Sequence, residues 1–462
     1  MTRPQCFLAL ALMLQSCGGQ PPAPTRPDII LLTVDTLRAD NVSAYNPNSR
    51  ARTEHIDSLA AQGIRFEHAY SPISVTGPAF CSLHTGRRPG LHGVVLNLFR
   101  GGSPLPDDIS TLAQALKAQG YRTGAFVSSY TLRPEIGLDR GFDTYDWAGT
   151  LSRPGEETAA AAVRWLQAQE GPVFLWFHSF DPHGPLHRWP KPKSKRSWER
   201  SPEKLTRFAS YQRIEGISDP TFYAKRYARA VEHADEQVGL LLNALRETQR
   251  MDSALIVFNA DHGESFDERD LWFDHGTTAF EEQLHIPLII RLPGAQRAGE
   301  VQSALVGLQD VAPTILRLIG APALEGADGR ADILAGGGHS VLTGESSHCK
   351  EEQGQACAPT GHAGKMFVAR DATRALVRRS MPSGVVYEYY ARLGDPGERS
   401  PLSGSPPPAD LKALVDAMAH ERSRMGLSDP KSSDDGDLSP EEAAELEALR
   451  ALGYADGDEE GD

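Results

Sequence analysis

Runs of consecutive apolar residues, each too short to span a membrane, recur through the first 260 positions with amphipathic stretches between them. Those at 28–34 (DIILLTV), 172–179 (PVFLWFHS) and 254–260 (ALIVFNA) carry few polar residues, as strands buried on both faces do. Between them, 53–62 reads as a helix ending at Gly63, 64–70 as extended and 121–127 (YRTGAFV) as a strand. Residues 110–119 read as a helix with Ser110 at its cap and Gly120 past its end. Residues 156–169 and 222–248 have the spacing of longer amphipathic helices. This alternation predicts an α/β fold, a large, mostly parallel sheet flanked by helices. Ligands in such folds gather beyond the carboxyl ends of the strands. Asp35, His178 and Asp261 stand at or beside such ends.

The expected layout is a main domain over 28–334 and a small subdomain over 335–425. In the latter, 366–379 and 384–393 read as two strands of a small antiparallel sheet, followed by a turn at 394–401. Residues 186–221 break the alternation with Lys191, Lys193, Lys195, Arg196, Arg200, Lys204 and Arg207 among several prolines, Trp189 and Trp198. They read as an inserted basic loop, either a solvated surface or a lid for an anionic substrate.

The net charge of −14 is uneven. Gly426 to Asp462 holds thirteen acidic and two basic residues, so the rest is near −3. The acidity belongs to a tail, in which 438–454 reads as a short helix capped by Ser439 and Glu442. No broad basic surface for nucleic acid is implied.

The start reads as an export signal over 1–17, with Arg3 before an apolar stretch at 7–14. Leu14-Gln15-Ser16-Cys17 resembles a bacterial lipobox, so cleavage before Cys17, lipidation of its thiol and a Pro-rich tether over 18–27 are expected. The protein would then be exported and held at the cell envelope by lipid. In that compartment Cys349 and Cys357 suit a local disulfide, and Cys81 is left as a buried thiol.

Three distant pieces carry the chemistry. Asp35 and Asp261-His262 follow apolar runs, and Thr76 lies in SVTGPAFCSLHTGRRPG. Carboxylates and an imidazole at strand ends suit one divalent cation, whether calcium, magnesium, manganese or zinc. A hydroxyl among them has the makings of a metal-activated nucleophile.

The ordered set PDIILLTVDTLRAD, HTGRRPGLHGV, LKAQGYRTGAF, GLDRGFDTYD, FHSFDPHGP, DHGESF, DHGTTAFEEQLHIPLIIRLPG and YEYYARLGDPGERSPL resembles the sulfatase branch of the alkaline phosphatase superfamily. The resemblance implies a large α/β domain, a small C-terminal sheet and a cation beside a nucleophile at a helix start. It implies Asp35, Asp261 and His262 as metal ligands, with Thr76 at the nucleophile position. His183 and His275 would meet the substrate's anionic or leaving group, and Asn97 falls where some members place another such contact. His178 is a weaker candidate for substrate contact.

Two departures matter. Where sulfatases carry Cys or Ser in a C-x-P-x-R-like motif, this chain has Thr76-Gly77-Pro78-Ala79-Phe80. Threonine cannot become the formylglycine aldehyde, and Leu83 and Thr85 deny Cys81 a motif of its own. Thr36 replaces a second Asp, although its hydroxyl can still coordinate. Three readings follow: a hydrolase or transferase of phosphate or phosphonate esters through Thr76, a sulfate-ester hydrolase without formylglycine, or a lipid-anchored binding protein that lost turnover.

Overall fold

The computed structural model describes residues 26–98, 102–147, 149–186, 189, 210–214, 216–266, 268, 273–347, 365–381, 384–402 and 411–425. The lipobox-like segment, Cys349, Cys357, most of the basic insertion and the acidic tail with its expected helix lie outside them.

Eight strands form the large sheet: β1 (Ile29–Val34), β2 (Ile64–Tyr70), β3 (Arg122–Val127), β4 (Thr144–Trp147), β5 (Val173–Ser179), β6 (Leu255–Ala260), β7 (Leu288–Arg291) and β8 (Glu300–Gly307). Their order is β4-β3-β5-β1-β6-β7-β2-β8, and all neighbours are parallel except those of β7. Every residue of β1, β5 and β6 is buried, as their unbroken apolar character requires.

The helices follow the expected periodicity and differ at their ends. The helix expected to start at Ser110 starts one residue later. Thr111 caps Leu112–Ala118, and Gln114 reaches back to the Thr111 N–H in a capping box. The long helix runs Pro220–Glu247, two residues longer at its start than its apolar pattern, because Asp219 caps it and Pro220 fits the first turn.

The small sheet has four strands, in the order β12-β11-β10-β9. The stretch expected to be one strand at 366–379 is a hairpin of β10 (Phe367–Arg370) and β11 (Arg374–Met381). Asp371 turns the chain by accepting the N–H groups of Thr373 and Arg374 at 2.8 and 2.7 Å. β12 is Gly384–Ala391, and β9 (Leu342–Glu345) and the Lys412–Arg424 helix are further elements. β9 also touches the large domain. Ile73 bridges to Glu345, and the Glu345 N–H donates to Pro72 O at 2.9 Å, bracing the segment that leads to Thr76.

Candidate active site

Parallel register brings the first two pieces together. Val34 pairs with both Ser179 and Ala260, so the residues after β1 and β6 leave the sheet side by side. Thr36 then turns at φ 51°, and its N–H donates to Asp261 Oδ1 at 3.0 Å. Past His262 the chain runs so close to its neighbour that a Cβ on Gly263 would meet Glu282 O at 2.2 Å. His262 Nδ1 donates to Gly263 O at 2.8 Å. That leaves the Nε2 lone pair facing Asp261 Oδ2 at 3.3 Å and Thr76 Oγ1 at 3.4 Å.

Thr76 is the first residue of the Thr76–Thr85 helix and is fully buried. Its hydroxyl lies 3.3 Å from Asp35 Oδ2. Asn97 stands at the same helix start, where its Oδ1 accepts the Gly77 N–H at 2.8 Å. One turn on, Phe80 fills buried space with its ring edge-on to His178 at 5.2 Å.

Asp35, Asp261 and His262 are buried, with one ligand atom from each within 4.8 Å of the others. Asp35 Oδ1, Thr36 Oγ1 and Asp261 Oδ2 have no hydrogen-bond partner among the described residues. Burial, and then the Asp261 carboxylate, pushes the Asp35 carboxyl well above its usual range. Acceptors crowded together without a donor between them suit a cation. Two carboxylates, an imidazole lone pair and the Thr76 hydroxyl therefore fit a divalent metal.

The histidines divide into two kinds. His178, expected to touch substrate, lies fully buried behind the carboxylate. Its Nδ1 accepts the Ser128 N–H at 3.4 Å, so Nε2 carries the proton toward Asp35 Oδ2 at 3.2 Å. Burial lowers its pKa to about 4, so it is a neutral donor that orients Asp35. His183 and His275 gather on the His262 side of the cluster. The His275 ring sits 4.6 Å from that of His262, and His183 meets His275 edge-on at 4.9 Å. His183 Nδ1 donates to Gly184 O at 2.9 Å, and its ring stacks on Phe180.

The sequence reading omitted Glu264. Its Oε2 lies 3.3 Å from His275 Nδ1, and it is fully buried. The available signal was a third ionisable side chain in the run Asp261-His262-Gly263-Glu264.

The sulfatase family model matches residues 27–321. The chain belongs to the sulfatase family. An ulvan-active sulfatase of Formosa agariphila is 27% identical over 371 residues, covering 70% of this chain and 68% of that protein. An N-acetylglucosamine-6-O-sulfatase of Bacteroides thetaiotaomicron is 26% identical over 406 residues, covering 67% and 71%. In structure, a phosphonate monoester hydrolase of Agrobacterium radiobacter superposes with a TM-score of 0.67 at 20% identity, covering 90% of this chain and 99% of that one. This sulfatase-family hydrolase thus shares its fold with proteins named for two different ester chemistries.

Proposed function

We propose that this chain is a metal-dependent hydrolase or transferase of phosphate or phosphonate esters that uses Thr76 as nucleophile. The observation that carries the reading is the Thr76 hydroxyl between Asp35 Oδ2 and His262 Nε2, at 3.3 and 3.4 Å. Asp35, Asp261 and His262 would hold the cation, with Thr36 as a further donor. The imidazole favours manganese or zinc over calcium, which prefers oxygen ligands. Bound there, the cation supplies Lewis acidity that lowers the hydroxyl's pKa and offsets charge on a phosphoryl oxygen.

Thr76 Oγ1, its proton released to solvent once the cation has lowered the hydroxyl's pKa, bonds to phosphorus while the bond to the leaving oxygen breaks. His183 or His275 protonates that oxygen, and Glu264 orients His275. Water or an acceptor alcohol then attacks phosphorus and frees Thr76. Asn97 holds the nucleophile's helix. The threonine hydroxyl beside a carboxylate and an imidazole and the likeness to a phosphonate monoester hydrolase support this reading.

The named sulfatase relatives favour a second reading, sulfate-ester hydrolysis without formylglycine. A sulfated threonine would lack the geminal hydroxyl that expels sulfate, which is why phosphoryl esters are ranked first. The lipobox supports export and lipid anchoring at Cys17, checked by mass spectrometry of the N-terminal peptide; an unmodified Cys17 overturns it.

The test is turnover of an aryl phosphodiester, an aryl phosphonate and an aryl sulfate by wild type, Thr76→Ala and Thr76→Ser. Thr76→Ala should lose at least about a thousandfold in kcat/KM, about 4 kcal/mol of transition-state stabilisation, and Thr76→Ser should keep a measurable part. Preference for the aryl sulfate transfers the conclusion to the second reading. Wild-type turnover by Thr76→Ala leaves Thr76 only a place at the helix start.

A further inference from the structure

The backbone that aims Asp35 is strained, and one side chain far along the sequence holds it. Thr36 has φ 51°, a left-handed conformation costly for a β-branched residue. It stands between Asp35, whose N–H continues the β1 ladder to Ser179 O at 2.9 Å, and Leu37, which is buried in the core. Tyr227, two turns into the Pro220–Glu247 helix and fully buried, reaches this turn. Its phenol donates to Thr36 O at 2.7 Å and accepts the Arg38 N–H at 3.1 Å. One hydroxyl thereby spans the turn and satisfies a buried acceptor and a buried donor that the strand ladder has left behind. The same turn donates the Thr36 N–H to Asp261 Oδ1 at 3.0 Å. The turn therefore fixes both carboxylates at once, and Tyr227 fixes the turn.

We propose that Tyr227 is a positioning residue for the cation site, holding Thr36 in its left-handed turn so that the oxygens of Asp35 and Asp261 face one point. This rests on the metal reading above. It adds that the long helix sets the cation affinity from behind the ligands, without touching the cation.

The test is a double-mutant cycle read by manganese binding alone, from the loss of the free Mn²⁺ paramagnetic resonance signal, on the full metal-stripped chain. Wild type should bind one Mn²⁺ per chain; if it binds none, the metal reading itself fails. Tyr227→Phe should weaken Mn²⁺ binding by at least about tenfold and shift the thermal midpoint of the metal-free protein only slightly. Glycine adopts the left-handed turn without side-chain strain. In a Thr36→Gly background, adding Tyr227→Phe should therefore cost less than about threefold, a comparison in which the lost Thr36 hydroxyl cancels. Equal losses in the two backgrounds, or wild-type affinity in Tyr227→Phe, overturn the proposal. If Tyr227→Phe folds only with Thr36→Gly present, the clamp is supported. If it folds in neither background, Tyr227 serves packing and the proposal falls.

Discussion

Two buried charged clusters, one at the strand ends and one where the two sheets meet, are built on opposite plans. At the junction, Arg370 donates from Nε and Nη2 to the two Glu398 oxygens at 2.7 and 2.9 Å, and from Nη2 to Ala279 O at 2.8 Å. Glu398 also accepts the Glu281 N–H at 3.0 Å, and Arg392 bonds to Tyr70 Oη and to Asp371 O. Opposite charges meet there with bidentate geometry. At the strand ends, like charges meet, and an oxygen of each carboxylate has no hydrogen-bond partner among the described residues. A cluster whose charges meet opposite charges fastens chain to chain. One that leaves acceptors facing each other is shaped for something the chain does not supply.

The largest effect that would break this contrast is on the acceptor cluster. Asp261→Ala should lose bound metal and roughly a thousandfold in activity toward whichever ester the wild type prefers. The metal-free variant should be close in stability to metal-free wild type, because relief of the repulsion on Asp35 offsets the lost acceptor of the Thr36 N–H. Elemental analysis and thermal melts in chelator check both halves. Unchanged metal content would remove Asp261 from the ligand set, and a marked fall in metal-free stability would make the cluster structural.

The junction should respond in the opposite way. Arg370→Met takes from buried Glu398 its bidentate cation, and a buried pair that loses one partner costs about 3–5 kcal/mol. Chemical unfolding should show that loss, while the manganese content of the folded fraction stays at the wild-type value. A loss under about 1 kcal/mol would mean that Glu281, Arg392 and water take over, and that the two clusters differ less than their geometry suggests.

The contrast also explains what the sequence disclosed. The apolar runs ending at Val34 and Ala260 made β1 and β6 legible, because burial on both faces admits few polar residues. Asp35, Asp261 and His262 were legible because carboxylates and an imidazole beside such runs have few other uses. The partners behind the site were not. His178 read as a substrate contact at a strand end, and only the strand register shows it bonded to Asp35. Tyr227 is one of many apolar-face residues on its helix, and its role depends on the φ of a residue 191 positions away. The β10–β11 hairpin read as a single strand because Asp371 makes its turn with one carboxylate and no glycine or proline.

The smallest effect concerns a carboxylate between the two plans, buried without a cation or a basic partner. Asp235 accepts the N–H of Ile56 at 2.8 Å and of His55 at 3.1 Å, at the start of the Glu54–Gln62 helix. Burial raises its pKa to about 7, against the lowering effect of those N–H groups, and Asp57 and Glu54 add to the rise. The folded value then lies above the unfolded value of about 3.9. Its favourable contribution is therefore complete below about pH 4 and is lost as pH rises through about 7. At 1.36 kcal/mol per unit the ceiling is about 4 kcal/mol, and relaxation around the charge reduces the expected loss to about 2. Asp235→Asn keeps an acceptor for the helix N–H groups and cannot titrate. The difference in unfolding free energy between wild type and Asp235→Asn should therefore slope across pH 4–7 and level off above it. A flat difference would show that two helix N–H groups suffice to hold a buried carboxylate in its charged form, as a cation would.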